Sequence, residues 1–193
     1  MKIPPLARAL LILAAAPECV CSQVHLEVDV FNYAEAPHAV IAPAMETARQ
    51  AFLAAGIHSR WLACTPERCG DEPPAELRLE LYVMPRMLTP IGAGHTAGYA
   101  MATGILSPRG YAFYDSVQAV SERTLRPASV VLGCILAHEA GHLLGLLHQA
   151  HGVMRANLES VGIDEATMGR AFNADEASKL RAAVLPKLRT SVR

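Results

Sequence analysis

The chain is short of charge. Only 18% of its 193 residues are Asp, Glu, Lys or Arg, against roughly 25% in an average globular chain. The two signs nearly cancel, with 17 basic and 18 acidic side chains and a formal net charge of −1. Nucleic acids and anionic membranes both reward a basic surface, so neither is expected as the main partner. Disorder is excluded too. It requires low hydrophobicity with high net charge, and 52% of these residues are hydrophobic. No apolar run reaches the roughly 18 residues of a membrane span. Cysteine is scarce, at five, an odd number and too few for a disulfide scaffold. Histidine, by contrast, is abundant for this length, at eight.

The N-terminus has the character of a processing signal. Lys2 makes a positive start, and residues 6–16 are apolar apart from Arg8. That is the length of a signal-peptide core and too short for a bilayer. Pro17 disfavours cleavage after Ala16, whereas Val20, Cys21 and Ser22 are small residues ahead of Gln23. Cys19 and Cys21 raise a lipid-anchored alternative, but neither follows a convincing lipobox. Residues 1–22 are therefore expected to be an export signal, for secretion or periplasmic delivery. Residues 23–193 are expected to be one domain and a monomer.

Within that domain, residues 24–31 alternate at period two and predict a half-buried strand. Pro37 opens a helical stretch to about Ala55, stopped by Gly56. Residues 57–63, 77–84, a short piece at 99–101 and 110–117 are further strand candidates. Residues 127–147 are Ala/Leu/Val-rich and helical in character, and a last helix is expected over 174–188 with Asn173 or Asp175 near its N-cap. This order fits an α+β domain with one mixed sheet. Gly162 and Gly169 point to a loop over 155–172.

The chemistry concentrates in residues 138–148, which read His-Glu-Ala-Gly-His-Leu-Leu-Gly-Leu-Leu-His. On a helix, His138 and His142 are four apart and lie about 40° from alignment on one face. Two imidazoles so placed can reach one Zn²⁺. Glu139 lies beside the first ligand, where a glutamate can deprotonate an activated water instead of binding metal. Gly145 permits a sharp turn that brings His148 round as a third ligand. Three protein ligands leave a fourth position open, the catalytic arrangement. The bland alternative is a buried helix with hydrogen-bonded histidines, but three imidazoles on an apolar helix without a common partner are costly to bury.

The pattern His-Glu-x-x-His-x-x-Gly-x-x-His resembles the signature of the metzincin zinc peptidases. Metzincins also set a methionine in a tight turn below the metal, and Met154, six residues after His148, is similar in spacing to the matrixin branch. The resemblance implies an α+β metzincin-like catalytic domain with a mixed twisted sheet, a backing helix, an active-site helix and a C-terminal helix. It implies one catalytic Zn²⁺ held by His138, His142 and His148, with Glu139 as general base and Met154 as the Met-turn. The activity implied is endopeptidase cleavage of a peptide or protein substrate by a zinc-activated water. Residues 92–101 look like the matrixin edge strand, so His95, Thr96, Ala97, Gly98 and Tyr99 are candidates for pairing with an extended substrate. The specific match covers only residues 138–154. A zinc-containing peptide-binding module without turnover, or a zinc hydrolase of non-protein substrates, stays open.

Other residues are less telling. The segment around Cys69 resembles the cysteine switch of matrixin precursors, but strands and a helix already precede it. A Cys64–Cys69 disulfide closing a short loop suits an exported protein better, with free thiols as the other alternative. Cys134 reads as a small buried side chain. His151 competes with His148 for the third ligand position, though the Gly145 spacing favours His148. His25, His38 and His58 have no metal spacing, and no Asp-rich loop specifies calcium.

Overall fold

The computed structural model describes residues 25–65, 69, 77–86, 98–101 and 108–190. The expected leader, with Cys19 and Cys21, lies outside these residues, as do His95, Thr96 and Ala97.

The alternating residues near the start form strand β1 (His25–Asn32). Helix α1 (His38–Ala54) follows Pro37 and ends before Gly56, whose φ of +79° a side chain would resist. Strand β2 (His58–Cys64) returns parallel to β1, as a strand–helix–strand unit requires. Strand β3 (Arg78–Met84) pairs in parallel with the other side of β1. Strands β4 (Gly98–Met101) and β5 (Arg109–Phe113) complete a five-stranded sheet in the order β2-β1-β3-β5-β4. Only β4 is antiparallel, at the end of the sheet beside β5. The sheet is thus mixed, as the element order implied.

Two expectations change. The strand over 110–117 stops at Phe113, and helix α2 (Tyr114–Thr124) begins at once. Alternation ends there, and the buried residues become Val117 and Val120, three apart, which is helical spacing. The expected loop over 155–172 is largely helical. It holds α4 (Ser160–Glu165), which runs on into a π-helical turn (Ala166–Arg170) broken at Gly169. Gly162 is buried in α4, where a Cβ would stand 2.9 Å from the Gly152 carbonyl oxygen, so it marks close packing and not a loop.

Helices α1 and α3 (Ala128–Leu143) cover one face of the sheet. Leu26, Val28, Val30, Leu79, Leu81, Val83 and Ala112 point into that core, all 1% exposed or less. Apart from His138, Glu139 and His142, helix α3 is apolar over nearly its whole surface, as a helix packed into the core must be. It crosses α1 so closely at Gly133 that a Cβ there would sit 2.5 Å from Thr47 Cβ and 2.6 Å from the Ala44 carbonyl oxygen. A last helix, α5 (Ala174–Thr190), starts with reciprocal caps. Asn173 Oδ1 accepts from the Glu176 N–H, and Glu176 Oε2 accepts from the Asn173 N–H. Among the described residues, no helix is long and apolar enough to cross a membrane.

The other face of β1 is not open to water as a half-buried strand would have it. Glu27 and Asp29 are each only 2% exposed. Arg78 Nε lies 2.5 Å from Asp29 Oδ2 and 3.3 Å from Glu27 Oε1, and Arg60 closes on Glu27 from β2. Cys64 and Cys69 are joined by a disulfide, and the Cys69 carbonyl accepts from Arg78 Nη2 at 2.6 Å. Further along the same face, the rings of Phe31, Tyr82 and Tyr111 stack across three strands, with centroids 5.0 and 5.4 Å apart.

Two stability tests follow from this packing. Gly133→Ala gains about 1 kcal/mol of helix propensity, yet it should destabilise by about 1–2 kcal/mol in urea melts because backbone blocks the new methyl. A more stable variant would rule out the close crossing. Arg78→Met should cost about 3 kcal/mol or more at pH 7 by leaving the buried Asp29 carboxylate without its guanidinium, while Glu27 keeps Arg60. Burial already holds the Asp29 carboxyl above its ordinary value, and losing Arg78 raises it further. A carboxyl raised in the folded state binds its proton more tightly there than in the unfolded chain, so acid favours folding. The deficit of the Met variant against wild type should shrink between pH 7 and pH 4; a constant or growing deficit would contradict the pairing.

Candidate metal centre

Helix α3 delivers His138 and His142 on one face, and both side chains are partly buried. Each ring is fixed through Nδ1. His138 Nδ1 meets the Val153 carbonyl oxygen at 2.6 Å, and His142 Nδ1 meets the Leu146 carbonyl oxygen at 2.8 Å. A carbonyl can only accept, so both Nδ1 atoms carry the hydrogen and both Nε2 atoms are bare lone pairs. These two lone pairs face each other at 2.9 Å. His148 joins them with its ring 4.7 Å from that of His142 and 5.3 Å from that of His138. One nitrogen from each of the three lies within 4.8 Å of the others.

His148 reaches the group because α3 ends in a glycine turn. Gly145 has φ +91°; its N–H donates to the His142 carbonyl at 2.9 Å, and the Leu146 N–H donates to the Gly141 carbonyl at 2.9 Å. These are the two bonds of a Schellman motif. A Cβ on Gly145 would touch nothing within 4 Å, so the backbone angle and not space demands glycine. The same turn aims the Leu146 carbonyl back at His142.

The other carbonyl comes from the short 3₁₀ turn Gly152–Met154. Three bonds anchor that turn. Gly152 N–H donates to Glu165 Oε2 at 2.7 Å, Val153 N–H to the Ala171 carbonyl at 2.9 Å, and Gln149 N–H to the Met154 carbonyl at 2.8 Å. Met154 is fully buried against Gly141, between the two helical histidines, where a Cβ would stand 2.7 Å from its sulfur. Sequence reading singled out Met154 but not Val153, Leu146, Glu165 or Ala171, which act through main-chain atoms or across the fold. Gly141 did carry a signal, since glycine inside a helix is unfavourable unless something packs there.

Glu139 lies 2% exposed beneath β4, with Oε2 bonded to nothing. Burial pushes its carboxyl up to about 8. Burial, helped by the neighbouring rings, also lowers His138 to about 4, and it lowers His142. Near neutral pH those two imidazoles are therefore uncharged and free to coordinate. Of the other candidates, His151 is exposed and outside the cluster. Gly98 and Tyr99 lie on β4, Gly98 directly over Glu139.

The residues present fit a bound zinc ion. Zn–N bonds of about 2.0–2.1 Å in a tetrahedron separate two ligand nitrogens by about 3.3 Å, near the 2.9 Å between His138 and His142. Two lone pairs facing each other are unfavourable until a cation sits between them.

No protein-family model matches the chain, and no curated protein does. The fold is similar to the crystal structure of a zinc-dependent peptidase from Methanocorpusculum labreanum, with a TM-score of 0.52 at 14% identity. The match covers 79% of this chain and 99% of that one.

Gly145→Ala isolates the role of the turn. Forcing a Cβ into the left-handed region costs about 1–2 kcal/mol, and the shifted Leu146 carbonyl should weaken metal affinity about 10–100-fold. Competition titration with a zinc chelator measures this. Unchanged affinity would detach the turn from the metal centre.

Proposed function

We propose that the chain is an exported zinc-dependent endopeptidase of the metzincin kind, with residues 1–22 as its leader and residues 23–193 as one catalytic domain. The observation that carries this reading is the convergence of three imidazoles, two with Nε2 bare, two of them on the helix that also carries Glu139, a buried carboxylate with an unpaired oxygen. The likeness of the fold to a zinc-dependent peptidase agrees with it.

His138, His142 and His148 hold one Zn²⁺, and Met154 forms the floor below them. When bound, zinc supplies a Lewis acid that polarises a carbonyl and makes water more acidic. Glu139 does the proton work. Its free Oε2 accepts the proton of the attacking water and returns it to the departing amine. The burial that makes its carboxylate basic also keeps bulk water from competing. The substrate is an extended peptide lying along β4, the end strand of the sheet, and pairing with its main chain at Gly98 and Tyr99. The protein acts as a monomer on peptide or protein.

Glu139→Gln tests the assignment, because the amide keeps the shape but cannot take a proton. It should retain one equivalent of zinc and lose at least about 100-fold in kcat/KM on a peptide library. Cleavage by the wild type should stop with chelator. A Gln variant as fast as wild type would remove Glu139 from the reaction. A wild type with no chelator-sensitive cleavage across a broad library would point to a peptide-binding module instead.

A further inference from the structure

Strand β4 presses directly on the proposed base. A Cβ built on Gly98 would lie 2.0 Å from Glu139 Oε1, 2.7 Å from Glu139 Cδ and 2.9 Å from the Tyr111 carbonyl oxygen. Its backbone is ordinary extended strand, so conformation does not call for glycine; space does. Glycine weakens a strand and, where it occurs in one, marks a close approach. The neighbouring strand repeats the pattern. A Cβ on Gly110 would lie 3.1 Å from Glu139 Cβ and 2.6 Å from Leu81 Cδ2. The Glu139 side chain therefore runs through a slot between α3 and two glycine positions on adjacent strands. The whole residue is only 2% exposed there. With Oε1 against Gly98, Oε2 is the oxygen left buried and unpaired.

We propose that Gly98 is a positioning residue. Its missing side chain lets β4 close over the Glu139 carboxylate and hold Oε2 in the one orientation the reaction uses. This concerns the inner side of β4 and not its outer edge, and it rests on the peptidase reading above. A shift of the carboxylate by about 1 Å is enough to cost a large part of the rate.

The test is a double-mutant cycle on the zinc-loaded protein. Gly98→Ala should keep one equivalent of zinc and a KM within about twofold, while kcat falls about 100-fold. Glu139→Asp, one methylene shorter, should lower kcat in the wild-type background but not in the Gly98→Ala background, where it clears the new methyl. Thermal melts read the same contact without turnover. Gly98→Ala should lower Tm, and adding Glu139→Ala should recover the part due to the carboxylate, the contact with the Tyr111 carbonyl remaining. Wild-type kcat in Gly98→Ala, or additive effects in both kcat and Tm, overturns the proposal. If Gly98→Ala does not fold, a folded Gly98→Ala/Glu139→Ala protein supports it and an unfolded one overturns it. Absence of chelator-sensitive hydrolysis by the wild type overturns the peptidase reading and this role together. Hydrolysis that Gly98→Ala leaves untouched overturns this role alone.

Discussion

Two hydrogen bonds from imidazole to main-chain carbonyl, His138 to Val153 and His142 to Leu146, set the terms for the rest of the site. By holding hydrogen on Nδ1 they leave Nε2 bare on both rings and turn the two lone pairs toward one point. Neither carbonyl belongs to α3. One comes from the glycine turn that ends it and the other from the short helix at Gly152–Met154. The metal centre is thus assembled where a helix, its own C-terminal turn and a returning segment meet. Anything that shifts either turn rotates a ring.

The scaffold is built to keep those turns still. Helix α3 is enclosed by the sheet on one side and α1 on another, with Gly133 letting the helices touch backbone to side chain. Its apolar surface leaves it no alternative to the core. The Gly152–Met154 turn is tied to Glu165 and Ala171, so α4 and the π turn after it brace the metal centre from behind. On the far face of the sheet, the arginines around Glu27 and Asp29 and the stacked rings of Phe31, Tyr82 and Tyr111 cover a surface that no described helix covers. That arrangement lets a single layer of helices suffice.

Glu139 illustrates the tension in such a site. Its carboxylate is worth most where water is excluded, yet exclusion of water opposes its charge, and its carboxyl is pushed up to about 8. Among the described residues, no hydrogen bond to Oε2 relieves this. Glycine at 98 and 110 is what allows the sheet to approach closely enough to dry the carboxylate.

Much of this was legible in the order of residues. Period-two alternation located β1 and β3, Pro37 and Gly56 bracketed α1, and Asn173 lay at the start of α5. The spacing of His138, His142, Gly145 and His148 gave the ligand geometry, because helix period and glycine backbone freedom are local properties. What was missed is non-local. The burial of Glu27 and Asp29 depends on arginines from two other strands. The switch from β5 to α2 depends on what Val117 and Val120 pack against, and the helical turns of 155–172 depend on docking against the Gly152–Met154 turn. The tautomer of His138 and the slot around Glu139 likewise arise only when distant segments meet, whereas that of His142 is set by its own helix-ending turn. Sequence alone determined which atoms could bind a metal. Tertiary structure decided which lone pairs face it, because a carbonyl fifteen residues away from His138 chooses its tautomer and a glycine forty-one residues away makes room for the Glu139 carboxylate.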